Sequence, residues 1–235
     1  MARSEVGDGL QSAMPSIWQH AHDLEVQYPN HSDWSLSDFA LCARSWLQHL
    51  WRTHLMTFHY FAYGSNMLPA RLINRCRSAK LLGTGIARDF RLDFTKQSKD
   101  GSGKAALRAA PGAHVPGVIF EVDLAERSTL DQHEGFGYRR EDAFVVEDSV
   151  PGSTRMTNTY LATLSDPQVK PFDWYLATVI AGAMFHKMDD AHVAALRGIA
   201  FIEDTDKERK TRAAAIAAMY AHGIDDYRTL LEWPR

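Results

Sequence analysis

The spacing of apolar residues changes character near residue 56. Over 35–55, SLSDFALCARSWLQHLWRTHL places Phe39, Cys42, Trp46, Leu50 and Trp51 at mixed spacings of three and four, the stripe of an amphipathic helix. Its start is marked twice: Ser35 and Asp38 form a capping-box pattern, and Trp34 and Phe39 are placed as a hydrophobic staple. Upstream, SIWQHAHDLEVQY predicts another short helix, broken by Pro29 and Asn30. From Thr57 the chain reads strand-rich first and helical later. An aromatic strand over 58–63 stops at Gly64, and a helix over 68–76 carries Pro69 in its first turn with Leu68, Leu72, Ile73 and Cys76 as its apolar positions. Further strands are expected at 80–87, 90–94, 104–109, 117–122, 141–146 and 157–162. Helices are expected at 124–133, 173–185, 190–198 and 209–220, with SKDGSGK as a loop.

Strands that mostly pair with near neighbours, followed by helices on the outside, predict an α+β fold. We expect a small mixed β-barrel or strongly curved sheet with surrounding helices, plus a helical N-terminal extension. Strand and helix do not alternate, which disfavours a doubly wound sheet. The division is 1–55 for the extension and 56–235 for the domain. Met56 opens a unit that would be complete without anything upstream, so 1–55 reads as an extension or as the product of a start chosen too early.

Composition narrows the function. A chain of 235 residues, 45% apolar and 23% charged, can bury the core of one domain with a small appendage. Its formal net charge of -3, with Lys and Arg scattered, offers no basic field for nucleic acid, so small-molecule partners are expected. Cys42 and Cys76 are too few for a disulfide framework or a cysteine metal knuckle. MARSEVGDGLQSAMPS puts acids and glycines where a leader needs apolar residues, and no run reaches membrane-spanning length. A cytoplasmic protein with no membrane partner follows. His20 and His22 lie two apart and His49 and His54 five apart, which puts neither pair on one helix face; no metal is expected.

Two places carry candidate chemistry. In YFAYGSNM, Tyr60 to Met67, a strand passes through Gly64, Ser65 and Asn66 into a helix start, which presents unpaired backbone N–H groups on a tight turn. That is a cradle for an anion, with Gly64 free to adopt angles closed to other residues and the helix dipole adding partial positive charge. The same residues also serve an ordinary connection capped by Ser or Asn. The lysine and glycines of a phosphate loop are missing, which disfavours a nucleotide. The second place is Glu134, at the end of a helix from Leu124 with Gly135 as its C-terminal cap. Carbonyl ends there favour the protonated acid, while a solvated surface glutamate is the plain alternative.

YFAYGSNM resembles the signature loop of the γ-glutamylcyclotransferase family. ARDFRLDF at 87–94, LDQHEGFGYRR at 130–140 and PQVKPFDWY leading into VIAGA follow in the family's order. The likeness spans about 56–205 and leaves the first 55 residues outside. It implies Glu134 as the general acid/base and Tyr63, Gly64, Ser65, Asn66 and Met67 as substrate-binding residues. Tyr175 is implied in the pocket, its hydroxyl bonded to substrate or to Glu134. Arg139 and Arg140 read as outward arginines of a strand edge and stay outside the catalytic set. The alanine-rich TRAAAIAAMYAHG reads as a packed helix.

The implied reaction is intramolecular. The α-amino group of a γ-glutamyl amide or dipeptide attacks its own side-chain carbonyl, giving 5-oxoproline and a free amine or amino acid. The substrate supplies the nucleophile, so the enzyme supplies a folded-back conformation, a proton shuttle and a place for the developing oxyanion. No metal, nucleotide or other cofactor is called for. Two alternatives stay open: removal of a γ-glutamyl protecting group from a larger metabolite, and a non-catalytic member that binds a small ligand or a protein. A glutathione-specific enzyme is disfavoured, since its loop usually resembles YGSL and here Asn66 follows Ser65. EGFGYRR is shorter than in many relatives, which bears on the entrance and the leaving amine. The extension has three open uses: covering the pocket, pairing with another subunit in a homodimer, or packing.

Overall fold

The computed structural model describes residues 57–150 and 152–232. The expectations for 1–55, among them the helix of Trp46 and Trp51 and the four histidines, and the boundary at Met56 lie outside the described residues.

Strand β1 (Thr57–Ala62) is aromatic because it runs through the core: Phe58, Tyr60 and Phe61 are all buried. The connection after it is one 3-10 turn, Ser65–Met67, followed by a short helix, α1 (Pro69–Ile73). The pairs of short strands expected at 80–87 with 90–94, and at 104–109 with 117–122, are two long strands, β2 (Lys80–Gln97) and β3 (Gly103–Asp123). They pair antiparallel from Lys80 opposite Glu121 to Gln97 opposite Gly103. Their register shifts between Arg88 and Phe90, where Asp89 has φ 60 and its carboxylate accepts the Gly112 N–H at 2.8 Å. Such a bulge interrupts the alternation of side chains without ending the strand, so periodicity read it as a break.

After β3 a 3-10 turn, Leu124–Glu126, leads into α2 (Arg127–Glu134), which Gly135 caps with φ 66 and an N–H donated to the Asp131 carbonyl at 2.9 Å. Strands β4 (Tyr138–Asp148) and β5 (Thr154–Ala162) pair antiparallel. The order β1-β3-β2-β4-β5 closes on itself where Tyr60 of β1 pairs in parallel with Asn158 of β5. One parallel contact in an otherwise antiparallel ring makes the barrel mixed, as expected.

Three helices follow: α3 (Asp173–Phe185), α4 (Asp190–Arg197) and α5 (Lys210–Tyr220). Helix α3 is buried continuously from Asp173 to Ala183, which explains why its sequence lacks a polar stripe. Gly182 sets its distance from the turn after β1: a Cβ there would stand 2.8 Å from the Met67 Cβ and 2.9 Å from the Leu68 N. Among the described residues no helix is long and apolar enough to cross a membrane.

Candidate active site

Glu134 occupies the last position of α2, where the cap at Gly135 ends the helix, and its side chain reaches Tyr60 of β1. Its Oε1 accepts two hydrogen bonds, from the Tyr60 hydroxyl at 3.2 Å and from Asn66 Nδ2 at 2.7 Å. Asn66 Nδ2 also donates to the Tyr60 hydroxyl at 3.1 Å, and Asn66 Oδ1 accepts from Arg75 Nη1 at 3.0 Å. Arg75 thus fixes which end of the amide faces the acid. An aspartate at 66 would set a second carboxylate against Glu134, whereas asparagine presents a donor. Among the described residues Oε2 of Glu134 has no hydrogen-bond partner, which leaves it for a ligand.

Glu134 is half-buried as a residue, but its carboxyl is enclosed among tyrosines and Asn66. Burial raises its pKa above the usual carboxylate value, against the lowering effects of Arg75, the Tyr60 hydrogen bond, Lys96 and Arg71. The carbonyl ends of α2, the cause expected from sequence, are not what dominates. No cation lies within ion-pair distance of Glu134 among the described residues, so the charged form lacks the direct partner that would lock it.

The cavity beside Glu134 is lined by Tyr63, Gly64, Ser65, Asn66 and Tyr175, all expected from sequence, and by Tyr60 and Tyr138, which were not. Among the described residues the N–H groups of Ser65 and Asn66 have no acceptor. Two physical reasons given for this turn need correcting. Gly64 has φ -121, so it is needed for space: a Cβ would stand 3.0 Å from the Ala105 Cβ and 3.3 Å from the Tyr175 hydroxyl. The turn opens only a three-residue 3-10 segment and the five-residue α1, too short for a helix dipole to matter.

Met67 stands apart from the other expected residues. It is fully buried beneath α3, and its carbonyl lies 2.9 Å from His186 Nε2, so it supports the turn from below and does not line the cavity. Tyr175 lines the cavity without bonding Glu134; its hydroxyl accepts the Ala105 N–H at 3.1 Å, and its proton is uncommitted among the described residues. Tyr63 donates its hydroxyl to the Tyr160 carbonyl and so forms a wall. Arg139 pairs with the Glu141 side chain at 2.8 Å, and Arg140 bonds Asp131 at 2.5 Å and Asp142 at 2.7 Å.

The sequence reading missed Tyr60, which the quoted stretch contains and which inward alternation with Phe58 could have singled out. It also missed Arg71, Arg75, Lys96 and Lys104. These line a second cavity of about 160 Å³ that shares Ser65, Glu134, Tyr138 and Tyr175 with the first. Nothing local marks four cations from α1, the residues just after it, β2 and β3 as neighbours. Among the described residues no group of three or more His, Cys, Asp or Glu gathers as metal ligands do.

One cavity thus brings together an enclosed acid with a free oxygen and the turn whose N–H groups are unpaired among the described residues. Residues 60–175, about half of the chain, match the family model described as gamma-glutamyl cyclotransferase, AIG2-like, and this region is of that family. Proteins named gamma-glutamylcyclotransferase from Homo sapiens and Mus musculus are 38% and 39% identical over 85 and 84 residues, covering 34% of this chain and 45% of each relative. The chain thus matches about half the length of these curated relatives. A solved structure named gamma-glutamyl cyclotransferase superposes with a TM-score of 0.61 at 27% identity, over 68% of this chain and 98% of that one. YkqA from Bacillus subtilis, at 19% identity and a TM-score of 0.53 over 66% of this chain and 60% of its own, shares the fold.

Proposed function

We propose that the protein is a γ-glutamylcyclotransferase: it cyclises a γ-glutamyl amide or dipeptide to 5-oxoproline and releases the amine. The carrying observation is Glu134, held through Oε1 by two neutral donors, with Oε2 free and a pKa raised by burial. Such an acid changes protonation state without a large penalty either way, which a proton shuttle needs.

In this reading the ionised Glu134 takes a proton from the substrate's α-amino nitrogen as that nitrogen bonds to the γ-carbonyl carbon. The carbonyl oxygen becomes negative and is met by the N–H groups of Ser65 and Asn66 or by the Tyr175 hydroxyl. Glu134 then delivers its proton to the departing nitrogen as the original C–N bond breaks. The net change is one C–N bond made and one broken, with the proton moved between the two nitrogens. Tyr63 and Gly64 shape the cavity, and Asn66 orients Glu134. The low cysteine count supports a cytoplasmic setting, and a small γ-glutamyl compound is the partner.

Release of 5-oxoproline from γ-glutamyl dipeptides, γ-glutamyl amines and glutathione, compared between the parent protein and Glu134→Gln, tests this. The rate with the best substrate is expected to fall by about a hundredfold or more in the variant. A folded parent protein that releases no 5-oxoproline from any of them, or a variant that keeps its rate, would overturn the reading.

A further inference from the structure

The second cavity holds more positive charge than the reaction above requires. Lys104 is paired there with Asp100 at 3.1 Å. Arg71, Arg75 and Lys96 have no carboxylate within ion-pair distance among the described residues. Arg71 is 5% exposed and Lys96 4%, so bulk solvent screens their charge poorly. Their remaining contacts are neutral: Arg71 donates to Ser65 Oγ at 3.1 Å, Arg75 to Asn66 Oδ1 at 3.0 Å, and Lys96 lies 4.5 Å over the Tyr138 ring. Burying unpaired cations is costly, and a fold that bears the cost around one cavity is built to receive an anion there.

Position decides which part of the substrate that anion belongs to. Glu134 lines both cavities, and in the proposed reaction it must reach both the attacking and the departing nitrogen. The scissile bond therefore lies at the junction. The turn at Gly64 to Asn66 and the Tyr175 hydroxyl line the first cavity, which at about 30 Å³ takes the reacting oxygen and no larger part of the substrate. The glutamyl α-carboxylate and the departing part then both lie over Lys96, Arg71 and Arg75. The glutamyl α-carboxylate and the single carboxylate of a neutral amino acid leaving group make two anions for these three cations, which leaves one of them unmet.

We propose that the leaving group is itself a dicarboxylate: an acidic amino acid, or a short peptide that begins with one. This rests on the cyclisation reading and adds the substrate class. Lys96 and Arg71 are the specificity-determining residues, and neutral or cationic amines are poor leaving groups because they bring no anion to this cavity.

The test separates the two claims. Binding is measured by calorimetry on full-length Glu134→Gln, where turnover is suppressed, with γ-glutamyl-glutamate, γ-glutamyl-alanine and γ-glutamyl-methylamide. Release of 5-oxoproline from the same compounds is measured on the parent protein. The dipeptide ending in glutamate is expected to bind at least about tenfold tighter than the alanine compound, and the methylamide weakest. Adding Lys96→Met should bring the first two within about threefold of each other, and Lys96→Gln, which keeps a donor without the charge, should do the same if charge is the cause. Melting curves establish that both variants fold. Equal affinities, or a preference that survives both substitutions, overturn the inference. Turnover of all three compounds at similar rates overturns it while leaving cyclisation standing; absence of 5-oxoproline throughout, with the binding order intact, sinks the cyclisation and keeps the anion site.

Discussion

Asp204 and Glu134 are both acids set among aromatic side chains, and they are held in opposite ways. Asp204, 1% exposed, accepts from Arg209 Nε at 2.6 Å and Nη2 at 3.2 Å and from Trp174 Nε1 at 2.8 Å. Its neighbour Asp173 accepts the Tyr227 hydroxyl at 2.8 Å and the Asp204 N–H at 3.2 Å, which ties the chain after α4 back onto α3. Burial pushes the Asp204 carboxyl up, but the bonds from Arg209 and Trp174 outweigh it and hold the pKa below the usual value. At Glu134 the nearest guanidinium bonds Asn66 instead, the donors are neutral, and burial wins. A directly paired acid is locked in one state and serves the fold. An acid whose cations act through an intermediary stays poised.

The pH dependence should run in opposite directions in the two clusters. With its folded pKa lowered, Asp204 adds stability that is present above its unfolded pKa and lost as pH falls through the folded one. With its folded pKa raised, Glu134 is protonated in the folded state where the unfolded chain is already ionised. Its contribution to stability therefore declines as pH rises from the unfolded to the folded value, and the cost remains above that.

Three substitutions press on this contrast. The largest effect is expected from Asp204→Ala, which leaves the Trp174 N–H without its acceptor and Arg209 with only Asp206, at 3.6 Å: a loss of about 3 kcal/mol in urea unfolding, with the turnover of the molecules that remain folded changed by less than about twofold. A catalytic defect of the same size as the stability loss would break the division between the clusters. Next is Tyr60→Phe, which removes a donor to Glu134 and the acceptor of Asn66. Turnover should fall by about tenfold, and the limb of the pH profile that reports ionised Glu134 should move to higher pH, because the lost bond favoured the charged form. A limb that stays in place would show that another group controls the rate. Smallest is the effect of Glu134→Gln on stability: the variant should melt slightly higher than the parent at neutral pH, the gap opening as pH rises above the ordinary glutamate pKa. A gap that narrows over that range would contradict a raised pKa.

Much of the frame was legible before any coordinate. β1, the turn after it, the cap at Gly135 and the buried helix α3 depend on backbone preference and on periods of two or four residues, which neighbours in sequence specify. The long strands β2 and β3 were read as four pieces because a bulge at Asp89 looks locally like a stop. Met67 was grouped with the turn because it is contiguous with it, yet the packing of α3 turns it into the core.

The sequence by itself determined where a polar turn and a terminal glutamate would fall, and its resemblance pointed to Glu134 and Tyr175. Only the tertiary structure decided what surrounds them: Tyr60 on the acid from 74 residues away, space in place of backbone freedom as the reason for Gly64, and Arg71, Arg75 and Lys96 gathered on one cavity. The physical reason is range. Caps and periodicity are set within a few residues, whereas desolvation and the sum of charges at a point depend on every segment the fold brings there.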